Sequence, residues 1–297
     1  MESRNDSSIS SVSLLFAISL LSFTAGIVSQ WAGLPRALVQ AFTPMAPNPG
    51  RLEAPIWKDP YVLVVAGQSN AANHGSTRAR AGPGAYAISL NGLFRLEDPL
   101  PGASGPGGSP WPHWAAQRQL DHPGHQVVVA SIAQGSSAVA DWINAGVHAQ
   151  RLPQLHAALR REGLQVDVVL WHQGETEAWS GGDPAAYTAS LRRWIASVRE
   201  LGITAPIYVC LTSRDGQGVI NPAIRHAQAS VWNRAAGVFA GPDTDSLGSP
   251  YRSDGVHFNQ QGLEAFASLF ERAMASPSDR QAPTLASIHP GTKMDRE

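Results

Sequence analysis

With 297 residues, 43% hydrophobic and 15% charged content, the chain is long enough for one large α/β domain with a sizeable core. Its formal net charge of -1 and the lack of clustered Lys and Arg exclude a nucleic-acid partner held through phosphates. A single cysteine, Cys210, excludes an intrachain disulfide, and its place in the apolar run Pro206 to Leu211 makes it a small packing residue.

The first element is apolar and separate from the rest. From Ser7 to Pro35 no charged residue occurs, and Val12 to Val28 is dominated by Leu, Ile, Phe, Val and Ala. This predicts a transmembrane helix or uncleaved signal anchor over about residues 12–34. A cleaved signal peptide, giving a secreted form, is the rival; the leader Met1 to Asp6 is not convincingly positive and no Ala-x-Ala site follows. The Pro- and Ala-rich stretch from Pro35 to Pro60 reads as a tether and Ser276 to Glu297 as a disordered tail. The expected division is an anchor and tether over 1–55, a catalytic domain over 56–276 and a tail over 277–297.

Within the domain, apolar β-branched runs alternate with helical patterns, which predicts βαβ units, a parallel sheet and helices on both faces. Three of the runs end in polar blocks. Tyr61 to Ala66 leads into Gly67-Gln68-Ser69-Asn70, Val127 to Ile132 into Gln134-Gly135-Ser136-Ser137, and Val166 to Trp171 into His172-Gln173-Gly174-Glu175. Ala185 to Glu200 places Tyr187, Leu191, Trp194, Ile195 and Val198 on one helical face, and Gln260 to Met274 does the same with Leu263, Phe266, Ala267 and Phe270. The fold class is α/β, a three-layer αβα sandwich of flavodoxin-like type with its site at the C-terminal strand ends.

Ser69 follows the first strand, and Asp254-Gly255-Val256-His257 puts a carboxylate and an imidazole three residues apart near the far end. A serine hydroxyl needs a base to become a nucleophile, and an imidazole held by a carboxylate supplies one. A Gly-x-Ser after a strand is also a common turn, and most of the ten histidines must be surface or packing residues. Acyl transfer further needs donors for an oxyanion, roles that fit the N–H groups of Ser69 and Gly135 and the side chain of Gln173. Ser69 lacks the final glycine of the Gly-x-Ser-x-Gly elbow, since Ala71 stands there. The pairs His172/Glu175 and Asp254/His257 fall short of the ligand count of a metal site, so no metal and no cofactor is expected. Pro101 to Pro110 lacks the Gly-Lys-Ser/Thr ending of a phosphate loop and reads as a flexible loop near the pocket. Trp111, Trp114, Trp142, Trp171 and Trp179 lie along or near these blocks; aromatic faces suit sugar rings, although most tryptophans pack in cores.

Taken in order, Val64 to Asn70, Gly105-Pro106-Gly107-Gly108, Gln134 to Ser137, Leu170 to Glu177 and Ser253 to Phe258 resemble the sialate O-acetylesterase and carbohydrate esterase family 6 branch of the SGNH (GDSL-like) hydrolases. The resemblance spans about Tyr61 to Arg272, with Ala71 where many relatives carry methionine. It implies a nucleophile at Ser69, a general base at His257, an orienting Asp254 and an oxyanion hole from Ser69, Gly135 and Gln173. Gln68, Asn70 and Glu175 would touch substrate or support the site, and either Glu175 or Asp254 could orient His257. The implied activity is removal of O-acetyl groups from a carbohydrate through an acetyl-serine; an O-acetyltransferase using the same acyl-enzyme and a glycan-binding module without turnover are the alternatives. Such a substrate, and not the charge pattern around the span, places the catalytic domain outside the cytoplasm.

Overall fold

A computed structural model describes residues 44–46 and 50–275. The predicted anchor at 12–34 and the tail at 277–297 lie outside the described residues. Among the described residues no helix is long and apolar enough to cross a membrane.

Seven strands form one sheet: β1 (Pro60–Gly67), β2 (Ala85–Ser89), β3 (Gly92–Arg95), β4 (Gln126–Ser131), β5 (Val168–His172), β6 (Ile207–Leu211) and β7 (Val238–Asp243). Their order is β3-β2-β4-β1-β5-β6-β7, with every pairing parallel except the edge hairpin β2-β3. Among the described residues six α-helices accompany them: α1 (Trp111–Asp121), α2 (Arg151–Arg161), α3 (Glu175–Ser180), α4 (Pro184–Glu200), α5 (Pro222–Ala229) and α6 (Gln260–Ala275). Central strands covered on both faces need apolar residues at every position, and Val62 to Ala66 of β1 are all fully buried. Val62, Val64 and Ala66 share one core with Leu155 of α2, Trp194 of α4 and Ile224 of α5; Leu63 and Val65 share the opposite core with Trp114 of α1 and Phe266 of α6. This is the three-layer αβα sandwich.

Caps set where the helices begin. The Asp183 carboxylate accepts from Ala185 N and Ala186 N ahead of Pro184, and the Asn221 carbonyl does the same for Ala223 N and Ile224 N ahead of Pro222. Helices α1 and α6 are joined through a buried carboxylate, Glu271, which accepts from Trp114 Nε1 at 2.8 Å and Arg118 Nη1 at 2.7 Å. The same guanidinium lies 3.8 Å from the Tyr61 ring centroid.

Near the end of the stretch read as a tether, Leu52 N donates to Leu93 O at 2.7 Å along the open edge of β3, and Trp57 Nε1 donates to Glu162 O at 2.9 Å. One expectation from the sequence needs correction: the glycine stretch Pro101 to Pro110 is not loose. Gly107 N donates to Asn73 O, and Gly75 and Gly108 exchange both backbone hydrogen bonds at 2.8 Å. A Cβ on Gly108 would lie 1.7 Å from Thr77 O, so these glycines are there for close backbone contact.

Removing one member of a buried ion pair leaves the other charge uncompensated. Glu271→Ala is expected to lower unfolding stability by about 3–5 kcal/mol. A denaturant midpoint unchanged from wild type would show that this carboxylate does not hold α1 to α6.

Candidate active site

Four loops at the C-terminal edge of the sheet carry the site. β1 ends in Gly67, whose φ is 137° and whose Cβ position lies 2.0 Å from His172 O, so no side chain fits there. The chain then enters a short 3-10 turn, Ser69–Ala71, with Gln68 N bonded to His172 O at 2.9 Å. As first residue of that turn, Ser69 has an N–H with no acceptor inside it.

The candidate base lies on the loop before α6. Asp254 Oδ2 is 2.7 Å from His257 Nδ1, and Asp254 Oδ1 accepts from the backbone N–H groups of Val256 at 2.9 Å and His257 at 2.7 Å. Because an ionised carboxylate only accepts, Nδ1 carries the proton and Nε2 keeps its lone pair for a nucleophile. Burial pushes the Asp254 carboxyl up, but the hydrogen bond and charge of His257 and the two backbone donors outweigh it and hold the carboxyl below the usual carboxylate range.

Ser69 and His257 are not hydrogen-bonded to each other, yet their neighbours are in contact. Asn70 Nδ2 donates to Val256 O at 3.2 Å and to Glu175 Oε1 at 3.0 Å, so the turn of Ser69 is latched to the loop of His257. Bonds between a serine and its base are often long before substrate binds. Glu175 thus engages Asn70, with its Oε1 also 3.9 Å from His172 Nδ1, while Asp254 is the carboxylate on His257. Gln68 Oε1 faces the start of α3, accepting from Gly174 N at 3.4 Å and Thr176 N at 3.2 Å.

The two further oxyanion donors expected from the sequence have internal partners. Gly135 N donates to Ser104 Oγ at 2.7 Å. Gln173 Nε2 donates to Glu177 Oε2, to Ser137 O at 3.0 Å and to Gln68 Oε1 at 3.2 Å. Among the described residues no group of three or more His, Cys, Asp or Glu side chains is placed to hold a metal ion.

Sequence reasoning missed His74 and Arg252. The His74 ring stacks on that of His257, with centroids 5.3 Å apart, and its Nε2 lies 3.2 Å from Ser104 Oγ. Burial, reinforced by His257 beside it and opposed by Asp254, pushes its pKa down to about 3. Arg252 is buried, and its guanidinium donates to Leu247 O at 3.0 Å, Thr244 O at 2.7 Å and Val256 O at 2.5 Å. No motif points to either residue; the only signal is proximity in sequence to Ser69 and Asp254.

A family profile described as "Carbohydrate esterase, sialic acid-specific acetylesterase" matches residues 103–276, more than half of the chain. The chain belongs to this family. The match includes Gly135, Gln173, Glu175, Asp254 and His257 and begins after the Ser69 block. An Arabidopsis thaliana protein named as a probable carbohydrate esterase is 23% identical over 148 residues, which cover 50% of this chain and 55% of that protein. The chain therefore aligns with about half the length of this relative. Its crystal structure superposes with a TM-score of 0.62 at 18% identity, covering 74% of this chain and 99% of that one. The crystal structure of NanS gives 0.53 at 15% identity, covering 76% and 98%. At such identities both speak for the esterase-family fold alone.

Two measurements probe this geometry. Asp254→Asn is expected to cost about 10⁴-fold in turnover through the wrong histidine tautomer. Glu175→Gln keeps an acceptor for Asn70 and is expected to cost about tenfold or less, within the range of a supporting hydrogen bond. The reverse ranking in folded variants would make Glu175 the orienting carboxylate. With His74 uncharged above about pH 3 and Asp254 ionised, the acid limb of kcat/KM above pH ~4 should carry one proton, a limiting slope of one. A slope of two would show a second group titrating.

Proposed function

We propose that the protein is a serine esterase that removes O-acetyl groups from a carbohydrate. The observation that carries this reading is the 2.7 Å Asp254–His257 contact on a loop joined by Asn70 to the turn of Ser69. Family membership supplies the substrate class.

The chemistry follows from the atoms present. Ser69 Oγ attacks the acetyl carbonyl carbon while its proton passes to His257 Nε2, and Asp254 stabilises the imidazolium that forms. The carbonyl π electrons move onto oxygen, which takes the Ser69 N–H as its first donor; Gly135 N joins by leaving Ser104 Oγ, while Gln173 Nε2 stays on the Glu177 carboxylate. Collapse breaks the bond from carbon to sugar oxygen, and the imidazolium returns its proton to that oxygen. Water, deprotonated by the same imidazole, then attacks the acetyl-serine, releasing acetate and restoring Ser69. A neutral His74 beside the imidazolium avoids like-charge repulsion at the step where His257 becomes cationic.

The uncharged stretch from Ser7 to Pro35 supports a membrane anchor, with the catalytic domain facing the glycan side. Full-length protein should then stay with membranes through alkaline washing; a shortened, freely soluble mature form would mean a cleaved signal instead.

Acetate release from an aryl acetate and from acetylated sugars tests the esterase reading. Wild type should turn over both, and Ser69→Ala and His257→Ala should each lose about 10³-fold or more, since the pair acts as a unit. Ordinary turnover by either variant would sink the assignment. Acetyl transfer to an added sugar in preference to water would make the enzyme a transferase.

A further inference from the structure

Of the tryptophans along the site blocks, Trp111, Trp114, Trp142 and Trp171 are all 2% exposed or less, whereas Trp179 is 57% exposed. Among the described residues no other tryptophan is in the exposed class. Water-facing indole surface is costly, and an aromatic with one wet face is common where a ligand docks. Its place is specific. Trp179 lies four residues after Glu175 on α3, one turn along nearly the same helix face, and Glu175 is bonded to Asn70 beside Ser69.

A groove of about 260 Å³ is lined by Ala178, the residue before Trp179, and by Ser213, Asp215, Val219 and Asn221 among others. Val219, at 59% exposure, gives this groove an apolar surface. Asp215 Oδ1 takes the N–H groups of Gln217 and Val219 at 2.9 and 2.8 Å, which leaves Oδ2 as an acceptor. The loop that lines the groove also touches the loop of His257, because the Gly216 carbonyl abuts Gly255, where a Cβ would lie 2.5 Å from it. The groove is smaller than the roughly 300–1,000 Å³ of sites for drug-sized ligands, a size for one ring and not for a chain.

We infer that Trp179 and the 213–221 loop form a sugar-ring subsite, with the indole face against the apolar C–H face of a pyranose and Asp215 Oδ2 accepting one of its hydroxyl groups. The inference rests on the carbohydrate esterase reading above and adds where the sugar is held. Trp179 is a binding residue and takes no part in proton or acyl transfer, so an ester too small to reach the groove does not sense it.

The test uses full-length protein with an aryl acetate and an acetylated disaccharide. Trp179→Ala should leave kcat/KM on the aryl acetate within about twofold of wild type and lower kcat/KM on the disaccharide about tenfold, mainly through KM, and Trp179→Phe should recover part of it. In a Ser69→Ala background, the acetylated disaccharide should change the tryptophan emission, and adding Trp179→Ala should abolish that change. Equal losses on both esters would mark Trp179 as structural and overturn the subsite. Unchanged kinetics on both would overturn it while leaving the carbohydrate reading intact. A wild type active on aryl acetate and inert on every sugar acetate would instead remove the carbohydrate reading, and the subsite with it.

Discussion

A buried guanidinium ties the loop of His257 to the turn that follows β7. Arg252 has no carboxylate in hydrogen-bond contact and spends its donors on three backbone carbonyls, those of Leu247, Thr244 and Val256, while the Phe258 ring lies 3.9 Å beneath it. Burial lowers its pKa to about 10, which still leaves it charged at any ordinary pH. A cation placed this way turns loose carbonyls into fixed ligands. Through the Val256 carbonyl it ties the Asp254 to His257 segment to the Thr244 to Leu247 turn, so that this four-residue segment has one geometry. Arg252 also pairs through its backbone with Phe258, the next anchor into the core below α6. Without this clamp the Asp254–His257 contact would persist as a local turn, because its two partners are three residues apart. Its position relative to Ser69 would not.

The second constraint is mutual contact between two motif blocks from neighbouring strands. Gly67 to Asn70 ends β1, and His172 to Glu175 ends β5, which pairs with β1 in parallel register as far as Gly67 opposite His172. That register puts the blocks side by side and accounts for their residue types. Gly67 admits the His172 carbonyl, Gln68 caps α3 in place of Gly174, which has no side chain to do so, and Asn70 binds Glu175. Glu175 in the first turn of α3 also places a negative charge at the helix end that favours one. Gln68, Asn70 and Glu175 are therefore bound to protein groups, and Asn70 fixes the Ser69 turn and the loop of His257 against each other.

This geometry shows which parts of the molecule the sequence could disclose. The sandwich was legible in the apolar runs of β1, β4 and β5 because strands covered on both faces must be apolar throughout, and α4 and α6 were legible from their 3.6-residue stripes. The edge hairpin β2-β3 was not: it is short, and only pairing with β4 and β3 distinguishes Ala85–Ser89 from a loop. Asp254 and His257 could be paired on spacing alone. The Asn70–Glu175 contact joins residues 105 positions apart and depends on strand order, which no local pattern encodes. His74 was hidden for the same reason, since its meaning lies in the His257 ring stacked on it. Glycine composition misled at 105–108, where the absent side chains admit neighbouring backbone and do not confer looseness.

The same distinction between composition and contact governs the oxyanion donors. A glycine N–H and a glutamine amide at strand ends are the right chemical types, but a donor stabilises developing charge only if it is aimed there without first leaving another acceptor. Ser69 N–H, at the start of the turn, has no acceptor within it to leave. Gly135 N–H is held by the Ser104 hydroxyl, which also touches the His74 ring stacked on His257, and Gln173 is held by Glu177. An oxyanion is a stronger acceptor than a hydroxyl, so exchange at Gly135 is favourable once charge develops. At Gln173 the competing acceptor is itself a carboxylate, and nothing is gained by trading one anion for another. In the proposed esterase, charge would therefore rank the three: Ser69 N–H first, Gly135 N–H recruited from Ser104 as a tetrahedral intermediate forms, and Gln173 holding Gln68 and the strand end in place.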